Sequence, residues 1–284
     1  MIRSAVAALF VLAASSAAAQ TTSDPAPDKS GYTLFDPTPD DQLRAFCTDR
    51  PPKANAACTV DAGHFQYESD IVNWTYAETA GVTTNTYLVT NPTLKLGLTD
   101  TTDLELNFAP WEIVTTKSGS TKQDLAGIGD FYTRLKINLA GAEGGDLQAA
   151  IIPYVKAPTA RQGIGDGATE GGMIVPLSFA LPKDFTLLFD PEIDILRNEA
   201  DYGRHANFQM LANVSHALSE TVTGYVELWG QADNDPAGPT KQASLDLSAA
   251  WVARANLQLD MGVNVGLTSS TPKAQPYIGI SQRF

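Results

Sequence analysis

The chain closes on Gln275-Pro-Tyr-Ile-Gly-Ile-Ser-Gln-Arg-Phe284, and this stretch decides the fold. Ile278, Ile280 and Phe284 alternate with Gly279, Ser281 and Arg283, a period of two that spells a β-strand. A strand at the end of a chain leaves a row of backbone donors and acceptors exposed unless both edges are paired. Pairing it with the first strand, so that the sheet closes into a barrel, removes the edge.

Working upstream, the same period recurs. Leu257, Leu259, Met261, Val263 and Val265 oppose Gln258, Asp260, Gly262 and Asn264. Residues 242–252 and 221–231 read alike, and 205–218 is a strand by context although its composition also suits a helix. Phe185, Leu187, Phe189, Ile193 and Ile195 oppose Thr186, Asp190, Glu192 and Asp194. Segments 173–181, 147–156, 131–139, 103–108, 85–99 and 63–75 complete a set of twelve. Most are near the ~9–11 residues that cross a bilayer at a tilt.

The joins carry an independent signal. Those at 99–103, 140–146, 182–184, 218–220 and 253–257 are mostly short. Those at 77–85, 112–126, 157–171, 197–204, 232–241 and 268–275 are longer and rich in Gly, Ser, Thr and Asp. Short and long alternate, as in membrane barrels with tight periplasmic turns and longer outer loops. A soluble sandwich has the same two-faced strands but no need to order its loops by length. The reading is an all-β, twelve-stranded antiparallel transmembrane barrel, lipid outside and a hydrated lumen inside, with both termini periplasmic.

The first residues agree. A basic start at Arg3, an apolar run from Ala5 to Leu12 and Ala17-Ala18-Ala19 have the form of a cleaved export signal over 1–19. This places the chain in a Gram-negative outer membrane. Its expected partners are outer-membrane lipid, the barrel-assembly machinery and a small-molecule solute. The formal charge of −13 becomes −14 without Arg3 and disfavours nucleic acid. Residues 20–60 are punctuated by Pro25, Pro27, Pro37, Pro39, Pro51 and Pro52 and form an extension. Only 40–46 suits a helical turn there, with Thr38 as cap. Cys47 and Cys58, close together in an exported chain, are expected to form a disulfide worth ~3 kcal/mol in the chain-entropy model. The extension either plugs the lumen or hangs in the periplasm.

Beyond periodicity, several motifs carry a resemblance. They are Asp49-Arg50-Pro51, Thr59-Val60-Asp61, Gly63-His64-Phe65-Gln66 with Glu68, Gly127-Ile-Gly-Asp130, Pro153-Tyr-Val-Lys156, Glu170-Gly-Gly-Met-Ile-Val-Pro176 and Asp194-Ile-Leu-Arg197. Together they make residues 48–284 resemble outer-membrane transporters of the MetA-pathway phenol-degradation group. The resemblance implies a fatty-acid-transporter-like, porin-like barrel that passes small, aromatic or hydrophobic compounds, and it brings no catalytic residues and no cofactor. Tyr277, Gly279 and Phe284 resemble the closing-strand signal by which outer-membrane barrels are recognised for assembly, although Gln282 stands where a second aromatic is usual.

The polar phase supplies the candidate lumen residues: His64, Gln66, Glu68, Asp70, Lys95, Glu105, Asp130, Arg134, Lys136, Lys156, Glu192 and Asp194, with Asp190, Glu227, Asp246 and Asp260 on the same faces. Mixed charges there either cross-link a lumen or line a selective path. Asp49 and Arg50 suggest an ion pair ahead of a rigid Pro51 turn. His64 reads as a ligand contact or a lumen hydrogen bond. No metal-ligand spacing appears among the carboxylates. Two other classes stay open. One is an outer-membrane hydrolase of the phospholipase type, which needs a Ser beside a His; Ser215 and His216 are adjacent and so face opposite sides of a strand. The other is a structural or binding barrel.

Overall fold

The computed structural model describes residues 28–200 and 202–284, so the expected export signal lies outside the described residues. From Phe65 onward the chain is one closed antiparallel barrel of twelve strands. They are β1 (Phe65–Thr79), β2 (Val82–Val89 and Thr93–Thr99), β3 (Thr102–Phe108 and Glu112–Ser118), β4 (Thr121–Gly127 and Phe131–Ala140), β5 (Leu147–Ala157) and β6 (Glu170–Ile174 and Leu177–Leu181). The second half comprises β7 (Phe185–Phe189 and Glu192–Arg197), β8 (Arg204–Ala217), β9 (Val222–Asp233), β10 (Thr240–Arg254), β11 (Leu257–Gly266) and β12 (Ala274–Arg283). Each strand pairs with its neighbours in sequence. β12 closes on β1 through a register that includes Gln66↔Arg283, Glu68↔Ser281 and Asp70↔Gly279. The ambiguous 205–218 segment is the fourteen-residue strand β8.

Five strands are interrupted, and the residues at the breaks explain them. Pro92, Pro110, Pro176 and Pro191 sit in four of the gaps, and Ile128-Gly129-Asp130 forms the fifth. Proline has no N–H for the ladder, and a break of this kind re-aims the strand. In β1 a bulge between Asp70 and Val72 shifts the phase, so the inward positions pass from Asp70 to Asn73.

Two expected outer loops are strand instead. Residues 77–85 and 112–126 belong to hairpins in which Thr79 pairs with Val82 and Ser118 with Thr121. Their Thr-rich sequence is polar on both faces, so the hydropathy alternation vanishes while the β-propensity of threonine remains. The remaining long joins, including 158–169 between β5 and β6, stay at the end opposite the termini. The helical turn at 40–46 reduces to one 3₁₀ turn, Asp40–Gln42, preceded by Pro39 and without a side-chain cap, so Thr38 does not play that part.

The barrel is inside out relative to a soluble protein. Its buried positions are mostly polar or charged, among them Glu68, Lys95, Asp103, Glu105, Lys136, Asp194 and Glu227. The exposed ones include Val155, Met173, Phe208, Met210, Val226, Leu228, Leu247, Met261 and Ile278. Facing lipid, such a band is the favourable arrangement, because the strands pair along both edges around the closed wall. Trp74 stacked on Tyr87, with Trp111 nearby in sequence to the same hairpins, marks one rim. Phe65 against Phe284 marks the other.

Candidate functional site: a plugged lumen and its outer vestibule

The extension folds back into the barrel. Cys47 and Cys58 are joined by a disulfide, which clasps residues 48–57 into a ring, and that ring lies in the inner half of the lumen. Asp49 and Arg50 do not pair with each other, as their adjacency suggests. They turn to different groups of strands. The Arg50 guanidinium donates to Asp70 of β1 at 2.7 Å and to Asp260 of β11 at 2.7 and 3.1 Å. The Asp49 carboxylate takes the Lys136 ammonium of β4 at 2.8 and 2.9 Å, and the Lys95 ammonium of β2 as well.

The backbone of the ring is satisfied in the same way. The Asp49 N–H donates to Glu68 at 3.1 Å, those of Lys53 and Ala54 to Glu227 at 3.1 and 3.3 Å, and that of Asn55 to Asp190 at 2.8 Å. The Tyr277 hydroxyl donates to the Pro51 carbonyl at 2.7 Å. The Lys53 ammonium bonds Ser244 at 2.6 Å, lies 2.8 Å from Asp246 and sits over the Trp229 ring at 4.5 Å. A loop buried among charges is tolerated only when its donors and acceptors find partners, and here the strand walls supply them.

Burial pushes the Asp49 carboxyl up, but Lys136 and Lys95 outweigh it and hold the group well below the usual carboxylate range. For Arg50 burial works against the charge, and the Asp260 and Asp70 carboxylates more than compensate, so the guanidinium is held firmly charged. Gly279 makes this seat possible. A side chain there would occupy the space of the Arg50 guanidinium, which is where a strand uses glycine for close approach.

A second cluster locks the base. At the end carrying the termini, Lys29 and Arg44 bond Glu143 of the β4–β5 turn at 2.8 and 2.7 Å. Partial burial raises the Glu143 carboxyl, but the Lys29 and Arg44 bonds prevail and hold it below its ordinary value. His64 lies here as well, between the carbonyls of Thr38 at 2.8 Å and Phe284 at 3.3 Å. It is a joint of the base and does not line the lumen, because β1 begins only at Phe65.

Above the plug the lumen opens into a vestibule of about 570 Å³ at the end opposite the termini. Asn91, Asn107, Asp130, Tyr132, Arg134, Tyr154, Lys156, Glu170, Glu192, Asp194 and Gln209 line it. The β5–β6 loop leans across its mouth. Ala160 donates to Asp130 at 2.9 Å, and Lys156 ties Asp166 and Glu170, each at 2.7 Å. Beside the plug a cleft of about 190 Å³ shares Asn91, Asn107 and Arg134 with the vestibule.

The candidate residues thus divide in two. Gln66, Glu68, Asp70, Lys95, Glu105 and Lys136 surround the plug, whereas Asp130, Arg134, Lys156, Glu192 and Asp194 face the vestibule. Tyr277 and Gly279 point inward at the plug, and Phe284 faces outward at the rim. Ser215 lies beside a small cleft next to the plug, while His216 stacks on Phe185 at 4.1 Å on the outer side. Sequence reasoning missed Lys53, Asn55, Asp103, Tyr132 and Tyr154 as site residues. Asp103, Tyr132 and Tyr154 stand on or next to the polar phase of recognised strands. Lys53 and Asn55 sit in a segment with no periodicity to assign a face.

The model of a family described as "Putative MetA-pathway of phenol degradation" matches residues 48–284, which is the plug ring together with the whole barrel. The chain belongs to this family. Among solved structures, an outer-membrane channel from Pseudomonas putida F1 aligns with TM-score 0.65 at 14% identity, over 82% of this chain and 100% of that one. The translocator domain of the autotransporter NalP from Neisseria meningitidis aligns with TM-score 0.49 at 13% identity, over 78% and 88%. An anion-selective porin from Comamonas acidovorans aligns with TM-score 0.38 at 9% identity, over 78% and 98%. At these identities the first likeness establishes the fold, that of an outer-membrane barrel. No curated protein matches the sequence.

Proposed function

We propose that the protein is a channel of the bacterial outer membrane for passive, selective passage of small molecules, and that the ring of residues 48–57 restricts its lumen. The observation that carries this reading is axial. A charged vestibule at the outer end continues into a narrower cleft that runs beside the plug and shares three lining residues with it. A solute descending this path meets first the side chains of β4 to β8 and then the ion-paired plug. Family membership and the likeness to a Pseudomonas putida outer-membrane channel support the same reading. A concentration gradient drives such passage, so no cofactor is called for. The lipid-facing band and the barrel fold support an outer-membrane location, with assembly through the barrel-assembly machinery and Phe284 as part of the signal.

Planar-bilayer conductance and liposome swelling with a panel of small solutes test the proposal. The full-length protein is compared with a variant in which residues 49–56 are replaced by a Gly-Ser-Gly link. Wild type should show small, solute-dependent flux and the variant a several-fold larger one. Impermeability of both, in barrels that migrate as folded on unboiled gels, would sink it.

A further inference from the structure

Arg134 stands apart from every other cation of the lumen. Arg50, Lys53, Lys95, Lys136 and Lys156 each touch a carboxylate. Among the described residues Arg134 has no carboxylate within ion-pair distance, and its Nε is buried without a hydrogen-bond partner. The reason lies in the register. Its cross-strand neighbours are Glu105 on β3 and Tyr154 on β5. Glu105 turns to Lys136 at 3.0 Å and Lys95 at 3.5 Å. Tyr154 turns the other way, donating its hydroxyl to Asp194 at 2.5 Å across Gly172. A side chain at Gly172 would meet both the Asp194 carboxylate and the Tyr154 ring, so the glycine is what lets the tyrosine lean away. Both cross-strand neighbours of the guanidinium are therefore drawn elsewhere, and Glu192 acts on it only from beyond ion-pair distance.

The space left in front of it has a definite character. Arg134 borders the vestibule and the cleft below it, so it sits at the vestibule floor. Its guanidinium carbon lies 5.9 Å from the Tyr132 ring centre, and the Tyr132 and Tyr154 rings are 6.2 Å apart at 44°. An unpaired guanidinium presents a planar fork that fits a carboxylate through two parallel bonds. Two tilted aromatic rings beside it favour a flat, unsaturated body. The acids around the cavity set a limit. Asp194 is already bonded by Tyr154, Asn207 and Gln209, and Asp130 by Ala160, whereas Glu192 takes a 3.3 Å bond from Tyr154, lies against Asp194 and acts on Arg134 only from beyond ion-pair distance. A second negative charge on the ligand would face it.

From the free Arg134 fork between two tyrosines, we infer that the vestibule floor is a binding site for small aromatic monocarboxylates, with Arg134 the residue that selects them. The inference rests on the channel reading for its biological sense, but binding is measured without passage. Purified full-length protein in detergent is titrated calorimetrically with benzoate, benzyl alcohol and phthalate. Benzoate should bind about tenfold or more tightly than benzyl alcohol, which has a similar shape without charge, and more tightly than the dianionic phthalate. Arg134→Gln should erase the difference between benzoate and benzyl alcohol, and Arg134→Lys should keep part of it. Equal binding of benzoate and benzyl alcohol to wild type, no benzoate binding, or a preference that survives in Arg134→Gln would each overturn the assignment. Should Arg134→Gln fail to fold, the wild-type comparison and Arg134→Lys still decide. A benzoate preference in a protein that passes no solute would count against the channel reading and leave the site standing.

Discussion

The inner and outer halves of one lumen are built from the same strands and the same residue types, yet they differ in what their charges do. In the inner half, Arg50, Lys53, Lys95 and Lys136 are each matched to carboxylates, and a clasped loop fills the space between them. In the outer half the loop is absent, a void of about 570 Å³ takes its place, and one guanidinium has no carboxylate. Inner-half charge acts as glue between loop and wall. Outer-half charge ties a loop to the wall at Lys156 and leaves the Arg134 guanidinium without an ion pair. Removing one partner of a buried pair leaves the other stranded, so substitutions should hurt most where the pairing is most complete.

The largest effect should come from Arg50→Ala, which strands Asp70 and Asp260 together. The expected loss is ~3–5 kcal/mol of seating energy, seen as a noisier and larger conductance and a lower unfolding temperature. Conductance unchanged from wild type would mean that the plug is held by something other than this contact.

Val226→Arg on the lipid face of β9 should cost ~2–4 kcal/mol of unfolding free energy in vesicles if it lies near the midplane. Changing Val226 to Leu should cost little. A normally inserting Val226→Arg would reverse the two faces of the wall.

Opening the Cys47–Cys58 clasp by reduction, or by paired serines, should weaken plug seating by at most ~3 kcal/mol and leave the barrel heat-modifiable on gels. Both thiols should resist labelling until reduced. Collapse of the barrel on reduction would show that the ring supports the wall as well as filling it.

A smaller effect of defined sign concerns Asp49. Its carboxyl is depressed in the folded state, so its contribution is fully present at neutral pH and is lost only in acid. The stability difference between wild type and Asp49→Asn should stay constant from pH 8 to about 5. It should shrink as the pH falls below the ordinary ~3.9 of Asp towards the lower folded value. A difference that already fades between pH 7 and 6 would show that Lys95 and Lys136 do not hold the charge. The smallest change is expected for Glu143→Gln at the base, where a partly exposed pair contributes about 1 kcal/mol or less.

How much of this was legible beforehand follows from the range over which each signal acts. Side-chain alternation is local, so Leu257 to Val265 and Ile278 to Phe284 revealed their faces without any knowledge of neighbours, and the joins supplied the barrel's polarity. The Thr-rich hairpin segments 77–84 and 112–126 escaped because hydropathy carries no period where both faces are wet. Glu68, Lys95, Arg134 and Asp194 could be placed on the inner face, but their roles could not be separated, since phase says which way a side chain points and nothing about what it meets.

Strand number and the inside-out wall were therefore written in the sequence itself, because they depend on a two-residue repeat and the spacing of its breaks. Tertiary structure alone decided that Arg50 reaches Asp260, that Tyr277 holds Pro51, and that Glu105 and Tyr154 both turn from Arg134. The first two contacts join residues more than two hundred positions apart, and closure of the barrel brings them together. The last depends on the absence of a side chain at Gly172, two strands away from Arg134. Pairing inside a closed wall is set by register and by the space each neighbour leaves, and neither quantity exists until the sheet has closed.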